Sequence, residues 1–243
     1  MSIIRAIKNS LARRKRLEEN CYDNIISLGY NCEVTFRFLK YFGFEKSNLF
    51  NWTYSYSIND MINALNNFES ICSGEMQNPN PLWECLNTHI RFHGKADTRI
   101  FIKGRETEEI LKADKEDLLG RVDHLKEKFL NILRDDTKKL YIYKIKKEDI
   151  DKNVNEKVLK LIEALKNLGG NNFKLLVVAE KENEKYFEQN ENYIIRFVKY
   201  FAPDNCLVRK KYFNNGWDNI YNEFYVKIPN KNETKNKKYK FDK

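Results

Sequence analysis

The residue with the greatest chemical potential in this chain is Cys32, which stands between an apolar run at residues 25–28 and a helix predicted over residues 34–42. Asn31 can cap that helix, because its side-chain oxygen can accept from backbone N–H groups that the first turn leaves free. Cys32 then falls at the first helical position, where the helix dipole favours a thiolate. The pattern predicts a nucleophilic cysteine, and the alternative is a small buried apolar side chain.

A thiol nucleophile needs a base, and the candidates are His89, His93 and His124. His124 lies off the apolar stripe of a long predicted helix, which indicates a surface position. His93 stands at a predicted loop end, and Asp97 is near enough in sequence to orient its ring. Cysteine, histidine and an orienting carboxylate form the inventory of a nucleophilic triad. We therefore predict that Cys32, His93 and Asp97 are catalytic.

The sequence signatures of a metal or cofactor site are weaker than those of a nucleophilic triad. His89 and His93 lie four residues apart, but no HExxH carboxylate stands between them and no third ligand is evident, so we expect no metal. The chain has no P-loop, GxGxxG turn or GxSxG elbow, and we expect no cofactor. A mononucleotide or nucleotide-sugar could still bind where the first strand ends, by the general rule for open α/β sheets.

Composition narrows the class of protein. The five cysteines are odd in number and form no CxxC pair, which argues against a zinc site or a disulfide framework and favours a reducing, cytoplasmic location. No apolar run is long enough to cross a bilayer, and no secretory signal is visible. The formal net charge is +9, and residues 1–20 and 229–243 each contribute +4. The remainder is close to neutral, so we expect no nucleic-acid partner.

The order of predicted elements indicates an α/β layered domain with a mostly parallel central sheet flanked by helices. Residues 1–20 read as a basic amphipathic helix that contacts a membrane surface or docks on the domain. A single domain would span residues 21–228, and a disordered basic tail residues 229–243. We expect helices at residues 107–134, 155–168 and 217–221, a helix capped by Ser57 or Asn59, and strands at residues 100–102, 140–145, 173–179, 193–200 and 224–228.

The run Ile-Ser-Leu-Gly-Tyr-Asn-Cys at residues 26–32, followed by Phe-Asn-Trp at residues 50–52, resembles a bacterial family classified by inference as papain-like cysteine peptidases. Its later motifs resemble Phe-His at residues 92–93, Arg-Val at residues 121–122 and the apolar strand at residues 140–143. The resemblance implies that Cys32 is the nucleophile and His93 the base. Asn51 stands where the family has an aspartate, and an asparagine can orient a histidine in papain-like enzymes.

Three hypotheses follow. The first is a thiol-dependent acyl hydrolase or transferase acting on a peptide or another acyl or glycan substrate, with the oxyanion held at the helix start. Gly29, Asn31 and Trp52 are the candidate substrate-binding residues. The second is a transferase in bacterial surface-glycan synthesis, suggested by the aromatic segment at residues 50–56, with Cys32 structural. The third is a non-catalytic scaffold held peripherally at a membrane by residues 1–20.

Overall fold

A computed structural model describes residues 19–43, 47–77, 82–94, 107–203 and 215–227. The predicted basic N-terminal helix, the basic tail, the strand at residues 100–102 and Asp97 lie outside these ranges. Strands in the described residues are β1 (Cys21–Tyr22), β2 (Asn24–Ser27), β3 (Thr53–Ser55), β4 (Met76–Gln77), β5 (Leu82–Cys85), β6 (Ile90–His93), β7 (Lys139–Lys144), β8 (Phe173–Glu180), β9 (Tyr193–Val198) and β10 (Tyr225–Val226). The α-helices are α1 (Glu33–Phe42), α2 (Ile58–Asn66), α3 (Glu108–Arg134), α4 (Val154–Asn167) and α5 (Trp217–Tyr221).

The central sheet is parallel and has the strand order β2-β7-β8-β9. Side chains of β7 alternate between two cores, as the pleat of a strand requires. Tyr141 and Tyr143 pack with residues of α3 and α4, whereas Leu140 and Ile142 pack with residues of α1 and α5. Helices therefore cover both faces, which confirms the predicted α/β layered domain with a mostly parallel sheet.

A second, antiparallel sheet with the order β3-β6-β5-β4 packs into the same core as α2 and α3. The hydrophobic pattern of the sequence does not predict this sheet. Its strands are two to four residues long, which is too short for a two-residue hydrophobic period to stand out. The sheet matters for function because β6 ends at His93.

The ends of the helices follow local chemistry. Ser57 caps α2 by accepting from the N–H of Asp60, and Thr107 caps α3 by accepting from the N–H of Ile110. Helix α4 stops before Gly169, whose φ of +99° suits glycine. These boundaries confirm the predicted helices to within a residue or two. Among the described helices, none is both long and apolar enough to cross a membrane.

Candidate active site

The turn between β2 and α1 carries Cys32. Cys32 is the N-cap residue of α1, with φ −70° and ψ −3°, and the helix begins at Glu33. The prediction that Asn31 caps the helix and Cys32 is its first helical residue was therefore one position too early. Asn31 still contributes, because its Oδ1 accepts from the N–H of Glu33 at 3.0 Å. The thiol consequently stands at the positive end of a ten-residue helix.

The tight path of this turn depends on Gly29, which has φ +88°. A Cβ at this position would lie 3.1 Å from Oγ1 of Thr53 and 3.3 Å from the terminal methyl of Met61, closer than an ordinary van der Waals contact, so glycine suits both the backbone conformation and the close approach of β3 and α2. Tyr30 follows with φ +63°, and its carbonyl accepts from the N–H of Ser55 at 3.0 Å. These contacts fix the turn against the antiparallel sheet.

The second sheet brings a base to the thiol. His93 is the last residue of β6, and its Nε2 lies 3.6 Å from Sγ of Cys32, within hydrogen-bond reach for sulfur. Trp52, just before β3, packs edge-on against Phe36 of α1 with ring centroids 5.0 Å apart and belongs to the small apolar cluster around Cys32. The structure thus joins two residues that are 61 positions apart in sequence.

The surroundings of His93 favour the neutral imidazole. Desolvation lowers the pKa of His93 below its usual value, and the positive charge of Arg121 lowers it further. Arg121 also donates from Nη2 to the carbonyl of His93 at 3.0 Å. His93 nevertheless keeps an exposed surface. A neutral, solvent-accessible imidazole can accept a proton from the thiol near neutral pH.

The two candidates for orienting His93 have different outcomes. Asp97 lies outside the described residues. Asn51 is buried; its N–H donates to the carbonyl of Asn48 at 3.3 Å, and its carbonyl accepts from Oγ1 of Thr35 at 2.7 Å. The main chain of Asn51 thereby anchors the loop before β3 to helix α1.

A buried carboxylate follows the thiol directly in sequence and is a site residue that the sequence pattern does not predict. Glu33 is fully buried, and its Oε1 accepts from Nη2 of Arg37 at 3.0 Å, the N–H of Ala202 at 3.2 Å, and the side chains of Asn215 and Trp217 at 3.3 and 3.2 Å. A glutamate in a first helical turn is common, so nothing in its sequence context indicates this role.

Lys144 completes the cluster from the end of β7. Its Nζ lies 2.8 Å from Oε2 of Glu33 and 3.4 Å from Oδ1 of Asn31, and the side chain is buried. The Glu33 carboxylate therefore ties the start of α1 to the carboxyl end of the parallel sheet. This is the edge at which open α/β sheets bind ligands.

Two other cysteines form a buried pair. The N–H of Cys72 donates to Sγ of Cys85 at 3.1 Å. A hydrogen bond from the Cys72 side chain lowers the pKa of Cys85 to about 5, and the same contact raises that of Cys72. The sequence offered no activating context for either residue. Cys85 is 0% exposed whereas Cys32 is 8% exposed, so packing shields the Cys85 thiol from reagents more completely than the Cys32 thiol.

The remaining histidines do not build a metal centre. His89 has φ +55°, and its Nδ1 lies 3.3 Å from Oε1 of Glu84. His124 is exposed on α3, as predicted. In the part of the chain that the structure describes, no group of three histidine, cysteine, aspartate or glutamate residues could hold a metal ion.

Comparison with known proteins adds no relative. The chain matches no family model, no curated protein and no solved structure. The likeness to papain-like cysteine peptidases stays a prediction based on short motifs. A function can therefore be inferred only from the geometry of Cys32 and His93.

Proposed function

We propose that the protein is a thiol-dependent acyl hydrolase or transferase. The observation that carries the proposal is the 3.6 Å approach of Cys32 Sγ to His93 Nε2 at the start of α1. A cysteine and a histidine in this relation are the minimal apparatus for covalent acyl transfer. The motifs shared with papain-like cysteine peptidases support the same assignment.

In the proposed reaction, His93 Nε2 takes the proton of the Cys32 thiol as sulfur attacks a substrate carbonyl. Backbone N–H groups at the start of α1 stabilise the oxyanion that develops. The tetrahedral intermediate collapses to a thioester, and the leaving group takes the proton from His93. Water then releases the acid in a hydrolase, or a second nucleophile takes the acyl group in a transferase.

The substrate class is a peptide or another acyl-bearing molecule, including an acylated glycan. Trp52 packs against the apolar cluster that contains Cys32, and this contact supports a role for its ring in binding the acyl group. The described cysteines Cys21, Cys32, Cys72 and Cys85 are all free thiols. A reducing, cytoplasmic location would preserve a catalytic thiol, and we include it in the proposal.

Hydrolysis of an activated aryl ester tests the proposal. The wild-type protein should release a burst of phenolate close to one equivalent per chain, because the acyl-enzyme accumulates. Cys32→Ala should abolish the burst, and His93→Asn should reduce its rate by about 10²–10⁴-fold. Cys21→Ser is the matched control, since Cys21 lies in β1 away from the site. A burst that survives Cys32→Ala in the folded protein would refute the proposal.

A further inference from the structure

The candidate active site continues onto one face of the antiparallel sheet. Tyr54 of β3 lies opposite Arg91 of β6. The pairing ends with Thr53 opposite Phe92, and extending it by one residue places Trp52 opposite His93. Because side chains alternate along a strand, Trp52 and Tyr54 share the face that carries His93. Tyr54 lies two residues from Trp52, or about 7 Å along the strand.

Tyr30, in the same turn as Cys32, contributes a second ring to this face. The Tyr30 and Tyr54 ring centroids are 5.6 Å apart, and both rings are half-buried. Nζ of Lys146 lies 4.3 Å from the centroid of Tyr30 and 4.9 Å from that of Tyr54. The ammonium group also lies 3.2 Å from the Tyr54 hydroxyl. Two rings and a hydroxyl therefore contact the Lys146 ammonium beside the reactive turn. Nζ of Lys144 also lies 4.7 Å from the Tyr30 centroid, and the Arg91 guanidinium lies 6.0 Å from that of Tyr54.

Lys146 differs from the neighbouring basic residues in the groups that its ammonium contacts. Arg91 forms an ion pair with Glu84 at 2.9 Å, and Lys144 forms one with Glu33 at 2.8 Å. Within the described residues, the hydrogen-bond partner of Lys146 is the Tyr54 hydroxyl, and no carboxylate lies within ion-pair distance.

Asp149 is a carboxylate whose pKa the charge of Lys146 affects. Desolvation raises the pKa of Asp149, and the positive charge of Lys146 partly offsets that rise. Asp149 is bound elsewhere, because its Oδ2 accepts from the N–H of Ile58 at 2.9 Å. The half-buried Lys146 ammonium therefore retains donors for a ligand.

We propose that Lys146, Tyr54 and Tyr30 form a subsite that binds a carboxylate on the acyl substrate. The inference rests on the proposed acyl-transfer function and specifies its substrate class. The preferred substrate carries an anionic group several bonds beyond the reactive carbonyl, since Lys146 contacts Tyr54 rather than Trp52. The two rings hold the ammonium in place, which reduces the entropy lost when the anion binds.

A matched pair of esters tests this subsite. The monoester of adipic acid with p-nitrophenol carries a terminal carboxylate, and p-nitrophenyl hexanoate is its neutral counterpart. We expect kcat/KM to favour the adipate ester by about tenfold, as one charge-assisted hydrogen bond would give. Lys146→Gln should remove this preference by lowering kcat/KM for the adipate ester, and Lys146→Arg should keep it.

The neighbouring Lys147→Gln is the control, because Lys147 is exposed and pairs with Glu182. A preference that is absent, or that survives Lys146→Gln, would overturn the subsite. If neither ester reacts, the proposed function fails, and calorimetric titration with adipate decides the subsite separately. If the wild type binds adipate and Lys146→Gln abolishes this binding, the subsite is supported. If the wild type does not bind adipate, the subsite is overturned.

Discussion

Replacing Glu33 with glutamine is the most informative perturbation of the framework behind the thiol. The Glu33 carboxylate is fully buried and bonds to the cations of Arg37 and Lys144. Glutamine has nearly the same volume, but it removes the negative charge and presents an N–H₂ group to donors. Breaking a buried ion pair by removing one partner costs about 3–5 kcal/mol, because the opposite charge stays buried.

For a chain of 243 residues, this loss should lower the thermal midpoint by about 6–20 °C, at 2–4 °C for each kcal/mol. Thermal unfolding followed by circular dichroism, with urea unfolding in parallel, measures the change. Glu156→Gln is the control, because Glu156 forms an exposed pair with Lys160 and should leave the midpoint unchanged. A Glu33→Gln midpoint within about 2 °C of the wild type would refute the energetic role assigned to this carboxylate.

Three further predictions concern the base and two glycines. Arg121→Gln removes a charge that lowers the pKa of His93, so the acidic limb of the kcat/KM profile should move to higher pH. Arg121→Lys should keep the wild-type limb, and identical profiles for all three proteins would contradict the assignment of His93 as base. Gly94→Ala would overlap the Asp114 carboxylate and displace the end of β6, at a cost of about 1–3 kcal/mol measured by urea unfolding. Gly120→Ala, where a Cβ meets nothing within 4 Å, should instead stabilise α3 by about 0.5–1 kcal/mol. Equal effects of the two glycine variants would show that the space around residue 94 is misassigned.

The long elements could be predicted from sequence because their hydrophobic periods repeat. Helix α3 shows its buried stripe over 27 residues, and β8 shows the continuous apolar run of a strand covered on both faces. Gly120 did not divide the helix, since tertiary packing outweighs the small propensity cost of one glycine.

The candidate site could be predicted only in part. Cys32 follows from local rules, because strand, turn and helix start are adjacent in sequence. The groups that come from other elements, such as the donors to Glu33 and the Lys146 subsite, depend on long-range pairing that no local period encodes. Sequence context and the motif resemblance indicate His93 as the base. The short strands that position His93 are not predictable from the sequence pattern.

The most direct measurement of the central claim is the alkylation rate of each cysteine in the native protein as a function of pH, resolved by peptide mass spectrometry. Our account predicts that Cys32 reacts with iodoacetamide near pH 6.5 faster than Cys21, and that His93→Gln slows Cys32 without changing Cys21. The buried Cys85 should react only after unfolding, despite its lowered pKa. A Cys32 that reacts only above pH 8, at a rate that His93→Gln leaves unchanged, would contradict the claim that His93 activates this thiol.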